Sequence, residues 1–421
     1  TISGLKFEFP NLANTAVIIW VDTPNVVTVT DCHLIGQGGG VTSEKPYSRI
    51  QVLYCKGQGR FSNVAGARQG PFVNVKAYGA NPGPASVKVD HCTVTGTGGI
   101  KAWSYSGNQT TETFLFTNNK ITNVDGRKSN GAGGPDNSST DPLNSVMGFY
   151  MSKNLPSSKI ERNEIINLLN QSAVCDGITT YLSGGKSGDP VSLSGNYVQG
   201  GYGFPNMGTS PTQILCGDGN PGVTGNGNYN PIHIRAHYNS VVSGNGVGIG
   251  VVGGSNIDLY KNRVFRSGYY WNSTTRNPNS GPGLKVWNPA KMAGWPYTGM
   301  TPMTGITVRW NEVRAVAYNF DGTGLYKRLD IDTKFENSDT CSFSDNNSLR
   351  LPNATFHSLP TTPNFWRSVT STTGYSGYWH YFIEDTVGTF TTADEMNENG
   401  WWRTNIMLQG QTGAYTWGCG W

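Results

Sequence analysis

One short pattern recurs along this chain and restricts its fold more than any other feature. In Ser255–Gly268, Ile257 and Leu259 alternate with polar neighbours, Asn262 follows, and Val264 comes two residues later. Alternation with period two marks a half-buried strand. Asn tolerates left-handed backbone angles and bonds nearby main chain, so the segment reads as strand, sharp turn at Asn262, strand. The unit returns in Val27–Leu34, Ile50–Cys55, Val87–Val94, Phe114–Ile121, Lys159–Ile165, Val191–Val198, Ile234–Val241, Ile306–Val313 and Cys341–Asn346, ten copies in all. Cys32 and Cys55 are 23 residues apart, as are Asn239 and Asn262, and other intervals are longer where loops intervene. A unit of this size cannot bury its own apolar face and must stack on its neighbours as a solenoid. The alternative is a β-sandwich with coincidental alternation, which ten copies sharing one offset argue against.

Composition points the same way. Among 421 residues, 56 are Gly and only 14% are charged, and few segments carry a helical apolar period. An all-β chain of many short strands and tight turns is expected. No apolar run approaches the ~20 residues that span a bilayer. A formal charge of +4, dispersed and without basic runs, gives no support for a nucleic-acid partner. The chain opens at Thr1 already in strand-like alternation and without Met, so upstream residues are expected to have been removed.

The repeat resembles that of the right-handed parallel β-helix proteins: pectate-lyase-like enzymes, related polysaccharide lyases and hydrolases, and phage tailspikes. The resemblance covers residues 1–350 and lies in architecture, not in a catalytic motif. It implies that each unit is the second strand, turn and third strand of a rung, with the turn Asn residues stacked as a ladder. Cys32, Cys55 and Cys92 stand in for Asn on three early rungs. Cys does not favour left-handed angles, so turns of another shape are expected there.

Seven cysteines are present. Cys32, Cys55, Cys92, Cys175 and Cys216 lie in or beside expected strands, where a thiol packs as a small apolar group. Stacking of the first three leaves a disulfide between two of them open. No C-x-x-C or Cys/His spacing suggests zinc. Mostly free thiols fit folding in a reducing cytoplasm, which favours a virion protein over an exported enzyme. Sequons at Asn108, Asn137, Asn272, Asn346 and Asn353 follow from composition, and no glycosylation is read from them.

Four Gly-, Asn- and Pro-rich excursions, 125–143, 183–189, 200–231 and 268–281, interrupt the rungs and are expected to wall a groove. After Asn346 the repeat stops. Residues 351–421 are dense in Trp and Tyr, with strands expected at Tyr378–Glu384 and Asn405–Gln409. This small aromatic β region is expected to cap the solenoid and to oligomerise.

No G-x-S-x-G, H-E-x-x-H, P-loop or dinucleotide motif occurs, so chemistry must be sought on the outward strand faces. The first strand of each rung should include Val17–Asp22, Ile100–Tyr105, Met147–Tyr150, Asp176–Tyr181 and Leu284–Trp287. Equivalent positions on successive rungs lie ~4.8 Å apart. Their non-aliphatic positions supply Trp20, Lys101, Trp103, Tyr105, Tyr150, Tyr181 and Trp287 as candidate substrate-binding residues. Aromatic faces stack on sugar rings, and Lys pairs with carboxylate or sulfate, so an acidic or mixed polysaccharide is the expected ligand. The bland alternative is satellite core beneath the loops.

Candidate catalytic groups are Asp22, Asp176, Lys285 and His237. A hydrolase needs two carboxyl groups flanking the scissile bond. Asp22 and Asp176 lie on first strands, with Glu161, Glu164 and Glu312 on later ones. A lyase needs a base, for which Lys101, Lys285 or His237 would serve, and a cation against the uronate carboxylate. The family often uses Ca²⁺ for that neutralisation. No clustered acidic motif matches, so no metal or other cofactor is expected, Ca²⁺ entering only with lyase chemistry. Arg235 and Asp258, one rung apart, should form a surface ion pair beside His237 and Tyr260. Both mechanisms stay open.

The expectation is a homotrimeric receptor-binding appendage of phage-tailspike type, on the virion tail. It would recognise host surface polysaccharide and, where active, depolymerise it. The alternatives are a secreted microbial polysaccharide lyase or glycoside hydrolase, and a non-catalytic structural or adhesive β-helix.

Overall fold

The computed structural model describes residues 1–9, 17–77, 85–104, 113–138, 145–202, 211–218, 231–287, 303–318, 326–328, 331–334, 341–344, 367–368, 378–381 and 392–403. Within them the strands form three long sheets of a right-handed parallel β-helix. Sheet A runs from Ile2–Ser3 to Cys341–Ser344, and sheet B from Lys6–Phe9 to Tyr326–Arg328. Sheet C begins at Ile19–Trp20 and supplies the first strand of each rung. All ten repeats place a strand in sheet A, and nine continue past the turn into sheet B.

The register explains the sequence alternation. Val52, Val89, Phe116, Ile160, Leu193, Ala236, Leu259 and Val308 stack rung upon rung inside sheet A, and none is accessible to solvent. Burying such a side chain is worth about 1.5–3 kcal/mol, so the pattern itself sets the coil. Gly57 leaves a gap in the matching inward row of sheet B. A Cβ there would fall 2.3 Å from Phe72, whose ring fills the space.

The ladder is continuous through Asn119, Asn163, Asn196, Asn239, Asn262 and Asn311. Each Nδ2 from Asn119 to Asn262 donates to the next Oδ1 at 2.9 Å, and every one of the six also donates to a main-chain carbonyl, as Asn239 does to Leu193. Every member is fully buried. Asn346 lies outside the described residues.

The turn differs from the sequence expectation in one respect. The left-handed residue is the one before the ladder position: Asp31, Tyr54, His91, Asn118, Arg162, Gly195, Tyr238, Lys261 and Trp310, with φ of 52–61°. The ladder residue only has to be small, buried and able to bond along the stack. Cys32, Cys55 and Cys92 therefore occupy turns of the same shape as the Asn rungs. Their free thiols bond carbonyls, as Cys55 Sγ does to Val29 at 3.5 Å, and no disulfide joins them. The ladder passes from Cys to Asn where the Cys92 amide donates to Asn119 Oδ1 at 2.9 Å.

The C-terminal region contributes more than strands. Tyr378–Tyr381 pairs antiparallel with Ile331–Lys334 at the last described rung of sheet C. A helix, α1 (Thr392–Trp402), lies on the outer face of sheet B against Ser240–Val242 and Arg263–Arg266. Glu398 accepts from Ser240 Oγ at 2.8 Å and from Arg263 Nε at 2.8 Å, while Glu395 accepts the Ser267 amide at 2.5 Å. Trp402 is fully buried, and its indole donates to the Gly195 carbonyl at 2.8 Å. Glu395, Glu398 and Trp402 are spaced three and four apart, which puts them on one helical face. That face is polar apart from Trp402, so no apolar period announced the helix. The segment Asn405–Gln409 lies outside the described residues.

Candidate functional site

The outer face of sheet C carries two parallel rows of side chains. In one, Lys76, Trp103, Tyr150 and Tyr181 are register neighbours on four successive rungs. Trp103 stacks on Tyr150 with centroids 4.1 Å apart and planes at 15°, and Tyr181 follows at 6.5 Å, tilted. In the other row, Trp20, Thr42, Asn74, Lys101, Gly148 and Thr179 succeed one another. Gly148 puts no side chain beside Lys101, and Thr179 and Tyr150 close over the slot it leaves.

Lys101 is the chemically unusual member. It is 7% exposed, and its pKa is pushed down to about 8, first by burial and then by the charges of Lys76 and Arg68. Burial disfavours an ammonium, and two nearby cations disfavour it further. A lysine tuned to that range exchanges a proton near neutral pH, as an ordinary surface lysine does not. Cys175 lies close enough to act on both Lys101 and Tyr150, and Asp176 acts on Tyr150. The Tyr150 hydroxyl is buried beside Ser145 without a hydrogen-bond partner of normal geometry, and burial holds it protonated far above the usual tyrosine range.

The wall of this site is ordered by charge. Arg127 is buried against Asp125, with Nε 3.0 Å from both carboxylate oxygens and Nη2 2.5 Å from Oδ2. Arg68 reaches across to the Gly126 carbonyl at 2.8 Å, which fixes its guanidinium beside the cleft. Lys76 bridges Glu44 at 3.1 Å. Sequence reasoning overlooked Arg68 and Lys76, and read Cys175 only as a packing thiol. Val73–Ala77 alternates as clearly as the strands chosen as first strands, and reading it as one more rung would have found Lys76.

The other candidates scatter. Asp176 belongs to the cluster, its Oδ1 accepting the Thr212 amide at 3.1 Å. Asp22 lies past the end of its strand in solvent, bridged to Lys45 at 3.0 Å and bonded by Tyr47 at 2.8 Å. It is five rungs from Asp176, or ~24 Å. A glycosidase pair stands about 5–9.5 Å apart, so these two carboxylates are not one. Trp20 is 52% exposed at the N-terminal rung. Lys285 sits five rungs beyond Lys101, its ammonium 2.7 Å above the Trp287 ring. Tyr105 lies outside the described residues.

His237 is on sheet A, a different face. It stacks flat on Tyr260 at 4.7 Å, and its Nε2 is 3.4 Å from Ser192 Oγ, whose proton goes to Glu161 at 2.8 Å. Burial lowers its pKa. Arg235 and Asp258 are register neighbours as expected, but Asp258 bonds Arg309 on the following rung instead, at 2.7 Å. Arg309 reaches both carboxylate oxygens as a fork, a geometry that a single-contact pair cannot match.

Among the described residues no group of three or more His, Cys, Asp or Glu comes together as a metal site. No described helix is long and apolar enough to cross a membrane.

No protein-family model and no curated protein matches the chain. Among solved structures, three of the periplasmic alginate epimerase AlgG align with it. A double mutant is 10% identical over 69% of this chain and 63% of its own, with a TM-score of 0.29. A single mutant is 10% identical over 69% and 62%, with a TM-score of 0.31. Another is 9% identical over 77% of each chain, also at 0.31. The chain spans less than two thirds of the length of the first two.

Proposed function

We propose that the cleft on sheet C binds an acidic polysaccharide and cleaves it by β-elimination, with Lys101 as the base. The observation that carries this reading is Lys101 itself, buried, with a pKa of about 8, at the foot of the Trp103–Tyr150–Tyr181 row. Trp103 and Tyr181, each partly exposed, offer apolar ring surface to a sugar chain. Arg68 and Lys76 supply positive charge where a uronate carboxylate would lie, acidifying the proton on the adjacent carbon. Neutral Lys101 takes that proton, the bond to the leaving glycosidic oxygen breaks, and the oxygen takes a proton from solvent water while Lys101 returns its own to solvent. A double bond remains in the new non-reducing sugar. No step is routed through a metal ion.

The biological setting proposed for this activity is a homotrimeric receptor-binding appendage of tailspike type on a virion tail. The buried free thiols support it, since they suit folding in a reducing compartment. Incubation with polygalacturonate, alginate and hyaluronate tests the chemistry through the absorbance of unsaturated uronate. Product that is lost in Lys101→Met is expected. Absence of unsaturated product on all three polymers overturns the lyase reading, and new reducing ends without it identify a hydrolase.

A further inference from the structure

The outer face of sheet A holds a cavity on the opposite side of a turn from the cleft. Its volume is about 210 Å³, and Lys186, His233 and Arg235 line it together with Asp258. The single carboxylate is already engaged by Arg309. Arg235 is exposed and makes no hydrogen bond or ion pair with any described residue. His233 and its equivalent on the next rung, Asn256, both take left-handed backbone angles, with φ of 55° and 53°, and both line the cavity. A guanidinium without a partner beside a concave, net-positive lining is what an anion would complete.

What adjoins the cavity narrows the anion's class. One row over, His237 and Tyr260 lie face to face at 4.7 Å, and Arg309 lies 5.0 Å from the Tyr260 ring. At the turn edge, Tyr238 and Trp310 are 42% and 46% exposed. They sit two rungs apart, ~9.6 Å. Lys261 stands between them and bonds the Tyr238 hydroxyl at 3.1 Å. Inorganic phosphate would need the cavity alone. A cavity for charge beside a stepped aromatic ledge suits a ring that carries the charge.

We propose that sheet A bears a second saccharide site, in which Arg235, His233 and Lys186 hold the carboxylate or sulfate of an acidic sugar and the exposed Tyr238 and Trp310 stack on adjoining rings. The ligand class rests on the acidic-glycan reading of the cleft, whereas the site is separate from it. A chain bound there would stay with the protein between encounters at the cleft, raising its local concentration.

Calorimetric binding on the full chain tests this with the cleft disabled by Lys101→Met and Trp103→Ala together. Polygalacturonate and alginate present carboxylates, dextran sulfate presents sulfates, and dextran is the neutral control. The cleft-disabled protein is expected to bind at least one acidic polymer, with no binding of dextran. Adding Arg235→Ala should weaken that binding about tenfold, Arg235→Lys less, and Trp310→Ala by about threefold. Melting temperatures equal to the parent's confirm that these surface variants fold. Cleft-disabled protein that binds none of the acidic polymers, or binds them undiminished after Arg235→Ala, overturns the second site. Failure of the cleft reading looks different: no unsaturated product from the unmodified protein, with Arg235-dependent binding intact.

Discussion

At the scale of single residues, the informative feature is a lysine placed where lysine is uncomfortable. Burial and two neighbouring cations hold Lys101 at about 8, so below that pH it is mostly charged and cannot accept a proton. The rate on an acidic glycan is therefore expected to rise with pH, roughly tenfold per unit below about 8, and to level off above. A pH profile of kcat/KM checks this, and a flat profile from pH 6 to pH 9 removes Lys101 as the base. Replacing Arg68 by Met takes away one of those cations, so the midpoint should move upward. Trp103→Ala should raise KM by about tenfold while sparing kcat, because stacking holds ground state and transition state alike. None of this was legible from the IKAWS stretch alone. Its outward Lys was visible, but its burial depends on Gly148, Thr179 and Tyr150 from the next two rungs.

At the scale of elements, the turn and the helix teach different lessons. The turn needs a left-handed residue first and a ladder residue second, and only the latter bonds along the stack. Asn at position 92 could donate to both Asn119 Oδ1 and the Val52 carbonyl that the Cys92 thiol now meets at 3.5 Å. Cys92→Asn is thus expected to leave stability unchanged or raise it by about 1 kcal/mol. A fall in the urea midpoint would contradict the ladder account. Asn196→Ala breaks the run between Asn163 and Asn239: the Asn163 amide and Nδ2 lose their shared acceptor and the Ile160 carbonyl loses a donor, while Asn239 Oδ1 keeps the main-chain amide of residue 196, at a cost of about 3 kcal/mol. For α1, Trp402→Ala should free the helix from sheet B while the rungs persist. Hydrogen exchange would then rise at Ser240–Val242 and Arg263–Arg266 and stay unchanged in sheet C.

At the scale of the whole molecule, the solenoid turns a one-dimensional repeat into long faces with different characters. Sheet C presents aromatic and basic rows, sheet A a charged cavity with an aromatic ledge, and sheet B a surface taken by α1. Each rung touches mainly its neighbours, so residues join a site by register and not by sequence distance. The tailspike proposal makes its prediction here. Sedimentation equilibrium at micromolar concentration is expected to show a trimer, and a monomer throughout would separate the cleft chemistry from a virion setting.

The sequence by itself determined the coil. Ten repeats with inward Val, Ile and Leu and a small buried residue at each turn have one economical way to bury their apolar faces, and that way is the β-helix. It also marked Lys101, Trp103, Tyr150 and Tyr181 as outward residues, because period two makes the facing of a strand readable. Only the tertiary structure decided which of them meet. Loop insertions make the interval between rungs irregular, so sequence spacing does not say which rung follows which or what lies between. Register joined Lys101 to Tyr150, Cys175 and Asp176, left Asp22 five rungs away, and put His237 on another face. Arg309 took Asp258 from Arg235 for the same kind of reason: a forked contact from the following rung that no one-dimensional pattern encodes.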